Sequence, residues 1–226
     1  MKLKQNTITP STVKVVKLEQ EILAANEVIA AENRALLQAK NIVAINFISS
    51  PGSGKTTLLV ETLKALRGSL QCAVIEGDQQ TTNDADRIAE TGVPVVQINT
   101  ISACHLEAVM VQKAINQLPL NDIDLLFIEN VGNLVCPAEY DLGEQEKVVM
   151  MSVTEGEDKP IKYPLAFHLA TALVLTKIDL MPYLRFDKQR CIDNAYKIHP
   201  GLPIIETSAY TNEGMSLWLE WLKGKL

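Results

Sequence analysis

Ser49-Ser50-Pro51-Gly52-Ser53-Gly54-Lys55-Thr56-Thr57 decides the fold of this chain. An apolar run over residues 42–48 precedes it and reads as a buried strand. Leu58-Leu59-Val60-Glu61-Thr62-Leu63 follows and reads as a helix. Strand, Gly-rich turn, Gly-Lys-Thr and helix, in that order, make a phosphate-binding P-loop. Successive backbone N–H groups of Ser50, Pro51–Gly54 and the helix start curl around a phosphate, proline excepted, and the helix N-terminus adds partial positive charge. Gly52 and Gly54 permit a curvature that a β-carbon obstructs. Lys55 reaches for the β- and γ-phosphates, and the Thr56 hydroxyl is a magnesium ligand. Ser49 departs from the usual G-x-x-x-x-G-K-[ST] pattern, because it stands where the first glycine normally does.

Working outward, a second apolar run over residues 70–76 ends in Gly77-Asp78, a carboxylate at a strand's C-terminal end. Open α/β sheets bind ligands at that edge. Residues 81–90 are polar and carry Asp84 and Asp86, as a helix or switch-like segment. Residues 93–98 predict a third strand, and 106–118 a helix after Cys104-His105. Residues 123–129 predict a strong strand that runs into Glu129-Asn130-Val131-Gly132. A carboxylate closing an apolar strand with glycine three residues on is a Walker B and switch arrangement. Glu129 then holds the magnesium shell, and the Gly132 N–H approaches a γ-phosphate. Residues 147–154, 172–175 and 203–207 predict further strands, 156–160 a turn and 215–222 a closing amphipathic helix. Strands alternating with helices predict an α/β P-loop NTPase, a doubly wound, mostly parallel β-sheet flanked by helices.

An N-terminal helical extension precedes this domain, dividing the chain into an arm and helix over 1–40 and a P-loop domain over 41–226. Ser11 or Thr12 is the expected cap. Leu18, Ile22, Ala25, Ile29 and Leu36 recur at helical spacing and predict the face turned to the core, with Lys17, Glu21, Glu27, Glu32 and Arg34 outward.

Thr176-Lys177-Ile178-Asp179 selects the nucleotide. Asp179 can accept hydrogen bonds from guanine N1–H and the exocyclic amine, whereas adenine presents a lone pair at N1. A buried unpaired polar group costs about 1–3 kcal/mol, so GTP is expected over ATP. The stem of Lys177 lies along the base. Thr176 replaces the usual asparagine and loses its amide. Ser208-Ala209 resembles the loop whose backbone meets guanine O6.

Bulk properties narrow the remaining classes. The chain has 226 residues, 47% hydrophobic and 21% charged, with a net charge of −6. An acidic balance argues against nucleic acid as a partner. No apolar run approaches the length of about 18 residues that a membrane span needs, and the lysine-bearing N-terminus shows no apolar signal segment. The protein is expected in the cytoplasm. Cys72, Cys104, Cys136 and Cys191 are too scattered for a disulfide scaffold.

With these motifs in place, the chain resembles the nickel-inserting hydrogenase-maturation GTPases, the HypB family of SIMIBI-class P-loop proteins. The resemblance rests on the P-loop, Gly77-Asp78, Asn83-Asp84, Cys104-His105-Leu106, the run from Glu129 through Asn133-Leu134-Val135-Cys136-Pro137, Val153-Thr154-Glu155-Gly156-Glu157-Asp158-Lys159-Pro160, Lys162-Tyr163-Pro164 and Lys177-Ile178-Asp179-Leu180. It implies a GTPase that dimerises with GTP bound and delivers nickel to a [NiFe]-hydrogenase large subunit, with a nickel-binding maturation protein as a further partner. It assigns Cys104, His105 and Cys136 to a nickel or zinc site at the dimer interface. Thiolate and imidazole suit both metals. GTP binding and magnesium fall to Lys55, Thr56, Asp78 and Glu129; Asp78 is a candidate to orient the attacking water and Lys159 to act across the dimer. The apolar segment over 180–184 is expected to favour dimerisation. Cys72 and Cys191 read as buried small residues, Cys191 on a helix. The chain lacks Cys and His before Cys72, so high-affinity nickel storage is not expected in it. Thr100-Ile101-Ser102-Ala103 also replaces a Gly-Lys-containing turn. A regulatory GTPase switch without metal is the competing function, and a small-molecule kinase a more distant one.

Overall fold

A computed structural model describes residues 18–78, 82–100 and 103–226. The expected cap at Ser11 or Thr12, the arm over 1–10, Lys17 and the pair Ile101-Ser102 lie outside these residues. The order is α1 (Leu18–Ala39), β1 (Val43–Ser49), α2 (Lys55–Leu66), β2 (Cys72–Asp78), α3 (Asn83–Ala89), β3 (Val95–Asn99), α4 (Ala108–Ile115) and β4 (Leu125–Gly132). It continues with α5 (Cys136–Glu139), β5 (Glu146–Ser152), α6 (Lys159–Lys162), α7 (Pro164–Leu169), β6 (Ala172–Thr176), α8 (Lys188–Ile198), β7 (Ile204–Glu206) and α9 (Met215–Lys223).

The described strands form one seven-stranded parallel sheet, ordered β3-β2-β4-β1-β5-β6-β7. Parallel sheets are covered on both faces, so their strands read as continuous apolar runs. Alternation then sorts side chains between the layers. Ile45, Phe47, Val74 and Phe127 pack with Leu59 and Leu63 of α2 and Trp218 of α9. Ala44, Ile75, Leu126 and Ile128 meet Leu37 of α1 and Val111 and Ile115 of α4. Val149, Met151, Leu173 and Leu175 meet Phe167 of α7 and Cys191 of α8. Each Val, Leu, Ile, Phe or Met among these, fully buried, contributes about 1.5–3 kcal/mol. Trp218 also donates from Nε1 to Thr62 Oγ1 at 2.8 Å, which satisfies its one polar atom inside the core.

Helix α1 presents a different face from the one its apolar residues predict. Asn26, Ala30, Asn33 and Leu37 are buried, whereas Ile22 is 46% exposed, Ala25 is exposed, and Ile29 and Leu36 are half-buried. The helical period holds, but the buried stripe sits one residue on, a rotation of about 100°. Hydrogen bonds explain the choice. Asn26 Nδ2 donates to Asp141 O at 2.7 Å, and its Oδ1 accepts from Ala108 N at 2.7 Å. Asn33 Nδ2 donates to Ala108 O at 2.9 Å and Leu142 O at 3.0 Å. Arg34, expected to face water, pairs with Asp141. Among the described residues, no helix is long and apolar enough to cross a membrane.

Candidate nucleotide cleft and metal-ligand cluster

The carboxyl ends of β1, β2 and β4 open onto a cleft of 590 Å³ lined by residues 51–57, Glu76, Gly77, Asp78, Asp84, Arg87, Cys104, residues 129–133 and Lys177. Gly52 and Gly54 have φ of 75° and 95°, left-handed values that side chains rarely adopt, so the glycines create the loop's curvature. At Gly132 the constraint is contact instead. A β-carbon there would come within 3.0 Å of Pro51, so glycine lets the end of β4 lie against the P-loop.

Ser49 has a specific task. Its fully buried Oγ accepts from Lys55 Nζ at 2.9 Å and from Ser53 Oγ at 2.6 Å, and donates to Ser50 O at 2.7 Å. A glycine would supply none of these bonds. Burial pulls the Lys55 ammonium pKa down, and the nearby Glu129 charge opposes that shift. Glu129 is raised by burial and lowered by Lys55 and by its hydrogen bond from Thr56. Thr56 Oγ1 donates to Glu129 Oε1 at 2.6 Å, leaving buried Oε2 without a hydrogen-bond partner. A hydroxyl and a carboxylate with an open buried oxygen, beside a phosphate loop, fit magnesium, which takes hard oxygen ligands. Asp78 lines the same wall.

The second pocket, of 220 Å³, is lined by Gly54, Thr57, Leu58, Thr176, Lys177, Asp179, Leu180, Thr207, Ala209 and Tyr210. It shares Gly54, Thr57 and Lys177 with the cleft, so a base and a phosphate chain fit one continuous groove. Lys177 takes φ 60° and donates from Nζ to Gly52 O at 2.7 Å, laying its stem between the two pockets. Thr176 Oγ1 donates to Ser53 O at 2.5 Å, so the residue that replaces asparagine ties the base loop to the P-loop. Ser208 is fully buried and donates from Oγ to Asp179 Oδ1 at 2.6 Å, orienting the carboxylate. Ala209 lines the pocket.

Cys104, His105 and Cys136 converge, their ligand atoms all within 4.8 Å of one another. The Cys104 and Cys136 sulfurs are 3.1 Å apart, and His105 Nδ1 lies 3.7 Å from Cys104 Sγ. Burial lowers the His105 pKa, which favours the neutral imidazole a metal needs. The hydrogen bond with Cys104 is the largest cause raising the Cys136 pKa, which favours the thiol, and a metal bound there would displace its proton. The Tyr140 ring lies against His105, centroids 4.0 Å apart.

Two asparagines join this cluster to the cleft. Asn130 Oδ1 accepts from Leu106 N at 3.1 Å, and Asn133 Nδ2 donates to Cys104 O at 3.3 Å. Asn133 Oδ1 also accepts from Val135 N, just before Cys136. Cys104 itself lines the cleft.

The sequence-predicted residues therefore assemble into one groove and one adjoining cluster. Lys159 Nζ donates to Ser50 Oγ at 2.7 Å within the same chain and pairs with Glu155 at 3.0 Å. Sequence reasoning missed Glu76, Arg87 and the roles of Asn130 and Asn133. Glu76 had a readable signal, since it precedes Asp78 by two residues and shares its strand face. Arg87, on the polar helix α3, donates to Thr57 Oγ1 and to Asp84, both at 3.1 Å.

Comparison with known proteins bears on this arrangement. The family model for the CobW/HypB/UreG nucleotide-binding domain matches residues 43–206. The hydrogenase maturation factor HypB of Escherichia coli K12 is 54% identical over 210 residues, covering 93% of this chain and 72% of that protein. The crystal structure of HypB from Helicobacter pylori in complex with nickel superposes with a TM-score of 0.85 at 40% identity, over 89% of this chain and 94% of the other. That of HypB from Archaeoglobus fulgidus gives 0.84 at 37% identity, over 89% and 98%.

Proposed function

The chain belongs to the CobW/HypB/UreG nucleotide-binding family, and on that footing we propose that it is a GTP-hydrolysing maturation factor that delivers nickel to a hydrogenase. The observation that carries this reading is the shared wall: Cys104 belongs both to the nucleotide cleft and to the thiol–imidazole cluster.

The P-loop N–H groups and Lys55 hold the phosphates, and their positive potential stabilises charge as the terminal phosphoryl group leaves. Thr56, Asp78 and Glu129 would hold magnesium, which supplies charge neutralisation at the phosphates when bound. Asp78 and Gly132 follow the γ-phosphate, and Asp78 is the residue we assign to orienting the attacking water. Asp179, fixed by Ser208, reads the guanine edge. Nickel is the cargo. Cys104, His105 and Cys136 offer three ligands, an incomplete set that favours transfer over permanent retention. Movement of the segment from Glu129 to Cys136 changes the ligand geometry, because Asn130 and Asn133 hold the backbone of the Cys104 loop. The exposed segment after the base loop, with Tyr183 83% exposed, joins two GTP-bound copies. A nickel-binding maturation protein and the hydrogenase large subunit complete the pathway. A reducing cytoplasm keeps Cys104 and Cys136 as thiols.

Nucleotide exchange tests the hydrolytic half. The wild-type chain should hydrolyse GTP and leave ATP nearly untouched. Asp179→Asn should weaken GTP about tenfold to a hundredfold and admit xanthosine triphosphate, whose 2-oxo group accepts from the asparagine amide. Equal turnover of ATP and GTP, or an Asp179→Asn chain that still prefers GTP, would contradict the assignment.

A further inference from the structure

Glu76 stands beside Glu129 across the β2–β4 ladder. The two residues are 3% and 4% exposed, and both line the phosphate cleft. On each, the Oε2 atom is buried without a hydrogen-bond partner. Two adjacent carboxyl groups are here taken out of water with oxygens unsatisfied; burial and the Glu129 charge push the Glu76 pKa up to about 8, so ionising both is costly unless a cation lies between or in front of them. The buried Lys55 ammonium acts electrostatically on both, though on Glu76 less than burial and Glu129 do, and its Nζ donates to Ser49. Arg87 is engaged by Asp84 and Thr57. Asp78 shares the Glu76 strand face and brings a third carboxylate to the same wall.

We propose that Glu76 is a positioning residue of the magnesium shell, aligned with Glu129 and Asp78 so that the cation satisfies carboxylate oxygens on two strands at once. This rests on the nucleotide–magnesium reading above. A residue kept only for packing would not need a carboxyl group here, and an acid kept only for the fold would not respond to magnesium.

The test measures the affinity of full-length protein for fluorescent GDP in magnesium and in EDTA. Magnesium should tighten wild-type binding by about tenfold or more. Glu76→Gln should shrink that gain to about threefold or less, read within the variant as the ratio of its affinities in magnesium and in EDTA, and Glu76→Asp should recover part of it. Circular dichroism establishes that each variant is folded; if the glutamine chain is not, the aspartate chain decides, and a full wild-type gain in it would overturn the proposal, since a shortened side chain cannot hold the same shell. An unaltered magnesium gain in folded Glu76→Gln would likewise overturn it. A wild-type chain whose affinity ignores magnesium would overturn the underlying magnesium reading instead, and this inference with it.

Discussion

Cys72 and Cys191 are buried among apolar side chains, and burial pushes each thiol up to about 12. At pH 8 a thiol with that pKa is about one part in ten thousand thiolate. Cys104 and Cys136 are only partly buried and face each other. Brief treatment of the native protein with iodoacetamide at pH 8 should therefore modify Cys104 and Cys136 at least about a hundredfold faster than the other pair. Prior addition of nickel should protect the first pair alone. Peptide mass spectrometry reads both effects, and labelling of Cys72 at the rate of Cys136 would refute the division. The residues of the P-loop and the guanine loop were legible in sequence because each is a short motif with fixed chemistry. The hydrogen bonds made by Ser49 and Thr176 were not, for a common reason. Each residue stands where the pattern has another, and a motif match records that departure without the partners the hydroxyl finds, Lys55 and Ser53 for Ser49 and the Ser53 carbonyl for Thr176.

Elements show the same limit. The seven strands were readable as apolar runs because both faces of the sheet are covered, and their ends shift by at most three residues from expectation, the largest shift being the C-terminal end of β4 at Gly132. Helix α8 is mostly polar, and its inward side is built from Cys191, Asn194, Ala195 and Ile198, so few apolar residues mark it in sequence; a further sign is Asp187, whose side chain accepts from Arg190 N. Helix α7 is six residues long and begins at Pro164, too short for a stripe. Helix α1 was legible as a helix, but its buried face was not, because asparagines occupy it. Hydrophobic patterning assigns asparagine to water, whereas here Asn26 and Asn33 satisfy backbone groups at the start of α4 and in the loop before β5. Asn33→Ala should destabilise the protein by about 1–3 kcal/mol, since two carbonyls lose a buried donor. Ile22→Ser, on the half-exposed side, should stay within about 0.5 kcal/mol. Urea melts of both variants decide the face. A costly Ile22→Ser with a silent Asn33→Ala would restore the apolar stripe as the inward one.

For the whole molecule, the sheet order brings β1, β2 and β4 side by side, and their carboxyl ends supply the P-loop, Asp78 and Glu129 to one cleft. Four residues beyond β4, Cys136 meets Cys104, which comes from the loop after β3. Any displacement of the β4 end by a γ-phosphate thus passes through Asn130 and Asn133 to both sulfur-bearing loops. A metal affinity ratio of about tenfold between nucleotide states requires only about 1.4 kcal/mol of differential binding, within reach of two hydrogen bonds remade. The most direct measurement is a nickel titration of the reduced, full-length protein by calorimetry, in parallel with GDP and with a nonhydrolysable GTP analogue, and with oligomeric state followed by light scattering in the same samples. The account predicts nickel affinities that differ about tenfold between the two nucleotides, a dimer favoured by the analogue, and loss of binding in Cys136→Ala. Nickel binding identical in both nucleotide states, or retained in Cys136→Ala, would contradict it and leave a GTPase whose cycle does not reach the metal.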